Sequence, residues 1–338
     1  MSAHLVLAAD VGGTKTNLAL VNSPARGTLG EAAATATYRS ADFPSLEAMI
    51  DAFRGEHAAS LPGPVGAASV GFAGAITGGR GEGSNVPWTV DASSLARHLR
   101  LPRVGLMNDL VATGYGVTAL RAEQLAPLLS GTAASDANAA VIAAGTGLGE
   151  TILARMAGDL IPIASEGGHA DYAPRTDLEW RIWQTLRPRY GRVSVERVLS
   201  GPGLANVAEV IHAERGAGAA WSAHGEESGG AESLPSLISK MGLERSCGAC
   251  ADALDTFAGI YGSEAGNLAL RCVARGGIYL GGGIAPRILP ALRSAAFEQG
   301  FRDKEPHRAL LAEIPVWVVL DDRTALWGAA RHASLSLG

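Results

Sequence analysis

Asn108-Asp109 follows the apolar run Val104–Met107 and so places a carboxylate at the end of a strand, where open α/β sheets hold their ligand groups. An aspartate there can take the proton of a substrate hydroxyl. Its free pKa of about 3.9 lies far below that of an alcohol, so early deprotonation is unfavourable. In a loose phosphoryl-transfer transition state the hydroxyl acidifies as its bond to phosphorus forms, and a positioned carboxylate takes the proton late. The same pair serves equally well as a helix or turn cap. Glu166-Gly167-Gly168-His169 sets a carboxylate and an imidazole in one short glycine turn. A bidentate acceptor and a ring that both donates and accepts can satisfy sugar hydroxyls. As metal ligands the two lack a third partner at sensible spacing. Glu196, within Val193-Ser194-Val195-Glu196-Arg197, reads by itself as the first-turn acid of a helix capped by Ser194.

Two glycine-centred turns suggest what these groups would act on. Ala9-Asp10-Val11-Gly12-Gly13-Thr14 lies between the apolar runs Leu5–Ala8 and Leu18–Val21, and Gly145-Thr146-Gly147-Leu148-Gly149 lies between Val141–Ala144 and Thr151–Leu153. Each reads strand, tight turn, strand. Glycine lets backbone N–H groups close on an anion with no Cβ in the way, and Thr14 and Thr146 each add a hydroxyl donor. Two such turns facing each other would grip a nucleotide's phosphates from both sides. Neither matches the P-loop pattern, because Lys15 stands too close to Gly12 and Gly13, and neither has the dinucleotide spacing. Both run into β-type sequence, whereas Rossmann and P-loop turns run into a helix.

The elements that must position these groups alternate in type. Strands are expected at 5–9, 16–21 and near 32–38, then a helix over 45–53 with Ser45 as N-cap and Leu46, Met49, Ile50 and Phe53 on one face. A strand over 65–73, a glycine-rich loop over 78–83, the run Asn85-Val86-Pro87-Trp88 and a short helix opened by Ser93 or Ser94 lead to Val104–Met107. From Val141 the plan restarts, so two α/β domains of related architecture with a cleft between them are expected. Helices are expected over 177–186 and 195–199, separated by Pro188 and Gly191, with Trp180, Trp183 and Leu186 as packing residues. Residues 213–234 lack apolar period and read as an exposed insertion. A long helix over 250–271, a strand over 276–280, a Gly281-Gly282-Gly283 turn, a helix begun by Pro286, a strand over 315–320 and a terminal helix over 323–333 capped by Asp321 or Asp322 complete the chain.

The chain has 338 residues, 47% hydrophobic and 18% charged, enough for two cores. A net charge of -5 without a basic cluster excludes nucleic acid as the main partner, and no apolar run approaches the ~20 residues of a membrane span. Met1-Ser2-Ala3-His4 leads straight into a strand without a charged n-region, so no signal peptide and a soluble cytoplasmic protein are expected. Cys247 and Cys250 form C-x-x-C, with no second pair or nearby histidine cluster to complete a zinc site; they read as reduced thiols on a helix, with metal or redox chemistry the lesser option.

Together the residues form a recognisable set. Asp10-Val11-Gly12-Gly13-Thr14, Asn108-Asp109, Gly145-Thr146-Gly147-Leu148-Gly149, Glu166-Gly167-Gly168-His169, Val195-Glu196-Arg197-Val198-Leu199-Ser200-Gly201-Pro202-Gly203 and Leu280-Gly281-Gly282-Gly283-Ile284 occur in that order. The set resembles the bacterial glucokinase family, within the hexokinase and actin superfamily, over nearly the whole chain. The resemblance implies a two-domain ribonuclease H-like (actin-like ATPase) α/β fold with an interdomain cleft. Its small domain would be 1–118, completed by the C-terminal helix 321–338, and its large domain 119–320. It implies ATP-dependent phosphorylation of D-glucose at the 6-hydroxyl. Ala9, Asp10, Val11, Gly12, Gly13 and Thr14 would bind the nucleotide, with Asp10 helping to hold the Mg²⁺ of MgATP. Gly145, Thr146 and Gly147 would form a second phosphate loop, and Gly282 and Gly283 would lie against adenosine. Asp109 would be the base, and Asn108, Asp109, Gly147, Glu166, His169 and Glu196 would bind the sugar, with Asn85 closing over it. A homodimer is implied by the family alone. The related ROK branch carries a cysteine-rich zinc motif after its Glu-x-Gly-His segment, which this chain lacks, and no helix-turn-helix sequence precedes Asp10. Rival readings are a kinase of another hexose, a sugar and nucleotide sensor without turnover, and an actin-like ATPase scaffold; intact Asp10, Asp109 and Glu166 speak against the sensor.

Overall fold

The computed structural model describes residues 4–58, 63–83, 86, 88–216 and 233–337. Asn85 and the stretch 217–232, which is most of the expected insertion, lie outside the described residues. Two compact units result. One is the chain up to Gln124 with Asp159–Ala164 and the chain from Asp321 onward; the other is Leu125–Gly158 with Ser165–Leu320. The first division therefore falls six residues beyond 118, and a short segment from the middle of the chain joins the N-terminal unit.

In the N-terminal unit β1 (His4–Val11) is apolar from Leu5 to Ala9, where both its faces are covered. Leu5, Leu7, Ala9 and Val11 pack with Leu46, Met49, Ile50 and Phe53 of α1 (Leu46–Glu56). Val6 and Ala8 turn to the opposite face, where Leu326, Ala329, Ala330 and Ala333 of the C-terminal helix Thr324–Leu335 cover them. β1 pairs antiparallel with β2 (Lys15–Ser23), which pairs antiparallel with β3 (Ala32–Arg39). On its other edge β1 pairs parallel with β4 (Val65–Phe72). β5 (Ala75–Thr77), β6 (Arg80–Glu82) and β7 (Val90–Asp91) make a small separate sheet, and β8 (Val104–Asn108) closes the main one in the order β3-β2-β1-β4-β8. Arg331 on the C-terminal helix reaches Asp159 at 3.2 Å, which ties the Asp159–Ala164 segment to this unit.

The C-terminal unit repeats the plan. β9 (Leu125–Leu129), β10 (Ala139–Ala144) and β11 (Leu148–Met156) precede β13 (Ile278–Gly281) and β14 (Val316–Val319), β12 (Asp159–Ile163) being the segment counted with the other unit. β10 and β11 form an antiparallel hairpin, while β10, β13 and β14 run parallel. Hairpin plus two parallel strands is also the arrangement of β1, β2, β4 and β8. The core is organised around the long helix Gly248–Cys272, whose Leu254, Phe257, Tyr261 and Leu268 pack with Ile142, Ile278 and Leu280. The Tyr261 hydroxyl donates to the Ile142 carbonyl at 3.3 Å.

Several expectations change in detail. The loop over 78–83 is part of a hairpin, because Gly78 and Gly79 take φ +59° and +78° and so make a tight turn between β5 and β6. The short helix α2 (Ala92–Leu99) is capped by Asp91, whose carboxylate accepts the Ser94 N–H at 2.8 Å, so neither serine is the cap. α4 (Asp177–Tyr190) runs through Pro188 to Gly191. Val195–Arg197 is a single 3₁₀ turn, and the helix lies after it as α5 (Gly201–Glu214), with the Ser200 hydroxyl accepting the Gly203 N–H at 3.0 Å. Pro286 sits in a turn, and the following short helix is Leu289–Leu292. No helix among the described residues is long and apolar enough to cross a membrane.

Candidate active site

Sheet register assembles the N-terminal half of the site. Asp10 lies beside Gly71, and Gly71 beside Met107, at the carboxyl ends of three parallel strands. β1 and β8 are thus two strand spacings apart, about 10 Å. Asp109 opens α3 (Asp109–Val117) directly after β8. Asn108 caps that helix, accepting the Leu110 N–H at 2.9 Å, and donates from Nδ2 to the Gly74 carbonyl at 3.4 Å. The same Leu110 N–H lies 2.9 Å from Asp109 Oδ1, so the amide and the carboxylate of the pair are both held by the helix start. The cap reading of Asn108 is therefore correct, and it orients the neighbouring carboxylate.

Asp10 keeps some exposed surface but is enclosed by protein atoms. Burial raises its pKa to about 6, the Asn17 amide works against that, and the nearby Asp109 charge adds to it. Asn17 faces Asp10 across the hairpin and donates to Oδ2 at 3.2 Å, its own Oδ1 held by Thr37. An enclosed carboxylate with a second one close by is a donor set of hard oxygens that a divalent cation such as Mg²⁺ would satisfy. The adjoining turn Gly12–Thr14 is fastened from below by Ser40, whose hydroxyl donates to the Gly12 carbonyl at 2.6 Å and whose N–H donates to the Thr14 carbonyl at 3.1 Å. Ala9 and Val11 turn their side chains into the core, so only their backbone is left to meet a ligand.

In the C-terminal unit three expected segments meet. The hairpin turn Gly145–Gly147 is closed by the Gly145 N–H on the Gly147 carbonyl at 2.8 Å, and the Gly145 carbonyl accepts the N–H of Gly201 at 2.8 Å. Glu196 Oε2 accepts the Leu148 N–H at 2.9 Å. Glu196 therefore does not act as a first-turn acid in a helix; it is bound to the second glycine turn. The Val195 N–H donates to Ala170 at 2.9 Å, which ties the Glu196 turn to the 3₁₀ turn Gly167–His169. Gly168 is buried there, and a Cβ on it would stand 2.0 Å from the Leu148 carbonyl oxygen. Glu166 and His169 at the ends of this turn are exposed. Gly282 needs its φ of +79° to turn the chain after β13, whereas Gly283 borders open space. A groove of about 910 Å³ runs past Gly145, Thr146, Gly283, Lys240 and Arg287, within the size range of small-molecule sites.

Beneath the Gly167–His169 turn, Glu150 is buried beside Glu264, with Arg271 at 3.3 Å from the first and 2.7 Å from the second. Burial, then the Glu264 charge, push Glu150 up to about 8. A carboxyl raised in the folded state contributes its full stability below its ordinary value of 4.5 and loses it as pH climbs through about 8. Glu150→Gln is expected to flatten the fall in Tm between pH 5 and 8. Thermal melts of both proteins across that range check it; parallel curves would remove Glu150 as the source.

The profile of the family described as Glucokinase matches residues 7–336. The chain belongs to the glucokinase family. Glucokinase from Synechocystis sp. is 38% identical over 351 residues, covering 98% of each chain. The crystal structure of glucokinase from an Antarctic psychrotroph superposes with a TM-score of 0.86 at 30% identity, covering 98% of this chain and 99% of that one. A ROK-family glucokinase from Streptomyces griseus, solved in complex with glucose and AMPPNP, has a TM-score of 0.60 at 23% identity and covers 97% of this chain and 99% of that one. The two-domain actin-like ATPase fold is shared with these sugar kinases.

Within this glucokinase fold, Asp10, Gly12, Gly13, Thr14, Asn108 and Asp109 fall in the N-terminal unit, and Gly145–Gly147, Glu166, His169, Glu196, Gly282 and Gly283 in the C-terminal one. Asn85 lies outside the described residues. Three residues escaped the sequence reading. Asn17 faces Asp10 because the hairpin turns over Gly13-Thr14, with the Gly12 N–H on the Lys15 carbonyl at 3.0 Å; a turn spanning Gly12–Thr14 would have set Thr16 there instead. Ser40 carried no signal, being a single serine after a strand. His212 meets Cys247 and Cys250 from 35 and 38 residues away, so the search for a nearby histidine could not find it.

Proposed function

We propose that this chain transfers the γ-phosphoryl group of MgATP to the 6-hydroxyl of D-glucose, giving glucose 6-phosphate and ADP. The observation that carries the reading is the register that sets Asp10 at the end of β1 beside a glycine turn, with Asp109 just past the end of β8 two strands away, in a glucokinase-family chain. Glucose and AMPPNP in the Streptomyces griseus enzyme support the substrate pair. Asp109 would accept the proton of the 6-hydroxyl as its oxygen bonds to the γ-phosphorus and the bond to the ADP oxygen breaks. Glu166, His169, Glu196 and Asn108 would bind the sugar hydroxyls, with Asn85 closing over them. Gly12, Gly13 and Thr14, and likewise Gly145, Thr146 and Gly147, would hold phosphates, and Gly282 and Gly283 the adenosine. Asp10 and its neighbours would hold Mg²⁺, which when bound neutralises charge on the phosphate oxygens. On the same reading the enzyme is a cytoplasmic homodimer that supplies glucose 6-phosphate to glycolysis.

Coupled measurement of ADP formation tests this directly. ADP release should depend on glucose and on Mg²⁺, and run slower with fructose, mannose or N-acetylglucosamine at equal concentration. ADP release indifferent to sugar would favour a plain ATPase, and glucose-dependent thermal stabilisation without ADP would favour a sensor.

A further inference from the structure

The long helix Gly248–Cys272 begins with Cys247 as its cap, and the Cys247 sulfur accepts the Cys250 N–H at 3.2 Å. The last turn of α5 brings His212 against this corner. Its Nε2 lies 3.8 Å from Cys247 Sγ and 3.8 Å from Cys250 Sγ, and the three atoms all fall within 4.8 Å of one another. His212 and Cys250 are buried, and Cys247 is half-buried. We propose that His212, Cys247 and Cys250 form a binding site for one zinc-class divalent cation, a site separate from the sugar and nucleotide residues.

The geometry is close to what such an ion requires. Zn–S bonds of about 2.3 Å and Zn–N bonds of about 2.1 Å at tetrahedral angles place nitrogen about 3.6 Å from each sulfur. Each Nε2···Sγ distance must then shorten by only a few tenths of an ångström. The backbone N–H of Cys250 already fixes the Cys247 sulfur at the helix start, on the side facing His212. Two thiolates and an imidazole are soft and borderline donors that select zinc over magnesium or calcium. A C-x-x-C pair at a helix start also suits a disulfide, but a disulfide has no use for an imidazole nitrogen set equally against both sulfurs. Among the described residues these three make the cluster, and the fourth position is left to solvent or an added ligand.

The clasp has a place in the fold. It joins the end of α5 to the start of the long helix, and the helix Leu234–Leu243 between them packs on the same corner. That intervening helix supplies Lys240 to the groove past Gly145 and Gly283. The ion would therefore stiffen one wall of that groove without touching it.

Full-length protein, reduced and stripped of metal, is titrated with Co²⁺ and then with Zn²⁺. One equivalent of Co²⁺ should give a sulfur-to-metal charge-transfer band and the visible bands of a tetrahedral ion, both displaced by Zn²⁺. Cys247→Ser should fold as wild type by circular dichroism yet lose the band and more than about 100-fold in Zn²⁺ affinity, beyond the loss that outer-shell changes cause. Cys250→Ser should do the same, and Cys272→Ser should keep both. Cobalt bound without the charge-transfer band, equal Zn²⁺ affinity in Cys247→Ser, or a reduced protein that takes up no Zn²⁺ and only forms a Cys247–Cys250 disulfide would each overturn the assignment. None of these readouts depends on sugar phosphorylation.

Discussion

Asp109→Asn is expected to lower turnover by about 10²–10⁴, the usual size of a lost general base, or about 3–5 kcal/mol of barrier. Asparagine keeps the shape and leaves Asn108 as the cap of α3, so the helix start should survive. Losing a first-turn acid costs roughly 0.3–1 kcal/mol, which bounds the change in stability. Glucose binding should stay within a few-fold, because the proton is moved only as the phosphoryl group transfers. The substitution also removes one of the charges that raise Asp10, so Asp10 should ionise at lower pH in the variant. Steady-state ADP release and calorimetric titration of glucose separate the two effects. A turnover within a few-fold of wild type would strip Asp109 of the base role.

Gly168→Ala should be the most damaging single methyl group in the C-terminal unit's site. Its Cβ would stand 2.0 Å from the Leu148 carbonyl oxygen and 3.0 Å from Leu148 Cβ, so either the Glu166–His169 turn or the start of β11 must give by roughly 1 Å. Both alternatives hurt. The turn carries Glu166 and His169, and Leu148 is the residue whose N–H holds Glu196. Overpacking of this kind costs about 1–3 kcal/mol in stability. A displacement of about 1 Å at a binding group costs on the order of 10² in rate, so kcat/KM for glucose should fall by that factor. Gly283→Ala is the control for stability alone, because its Cβ would meet nothing within 4 Å and Tm should hold, while its place in the nucleotide site leaves its kinetics out of the comparison. Melting curves for the two variants and glucose saturation kinetics of Gly168→Ala against wild type decide the matter; wild-type kinetics in Gly168→Ala would mean that the turn does not hold the sugar.

Much of this site was legible along the chain because its parts are local. A glycine turn between two apolar runs is a hairpin wherever it lies, although the pairing of Asp10 with Asn17 depends on the turn being the two residues Gly13-Thr14. Ser45 caps α1 through its own neighbour Ala48, three residues on. The same locality explains the errors. Asp91, Ser93 and Ser94 are all competent caps within four residues, and only the pairing of β7 with β6 decides that the helix starts after Asp91. The edge strand β9, with Pro127 inside it, has no pattern of its own and exists because β14 offers it a partner.

By itself the sequence determined the hairpins, the glycine turns and the list of chemically active side chains, since each depends on residues within a few positions of one another. Tertiary structure decided their partners: Glu196 against the Leu148 N–H, Ser40 beneath the Gly12 turn, and His212 over two cysteines. Those contacts rest on strand register and helix packing between segments 28 to 48 residues apart. No short-range propensity encodes them; they arise because burying both faces of each sheet leaves one way to stack the elements that carry them.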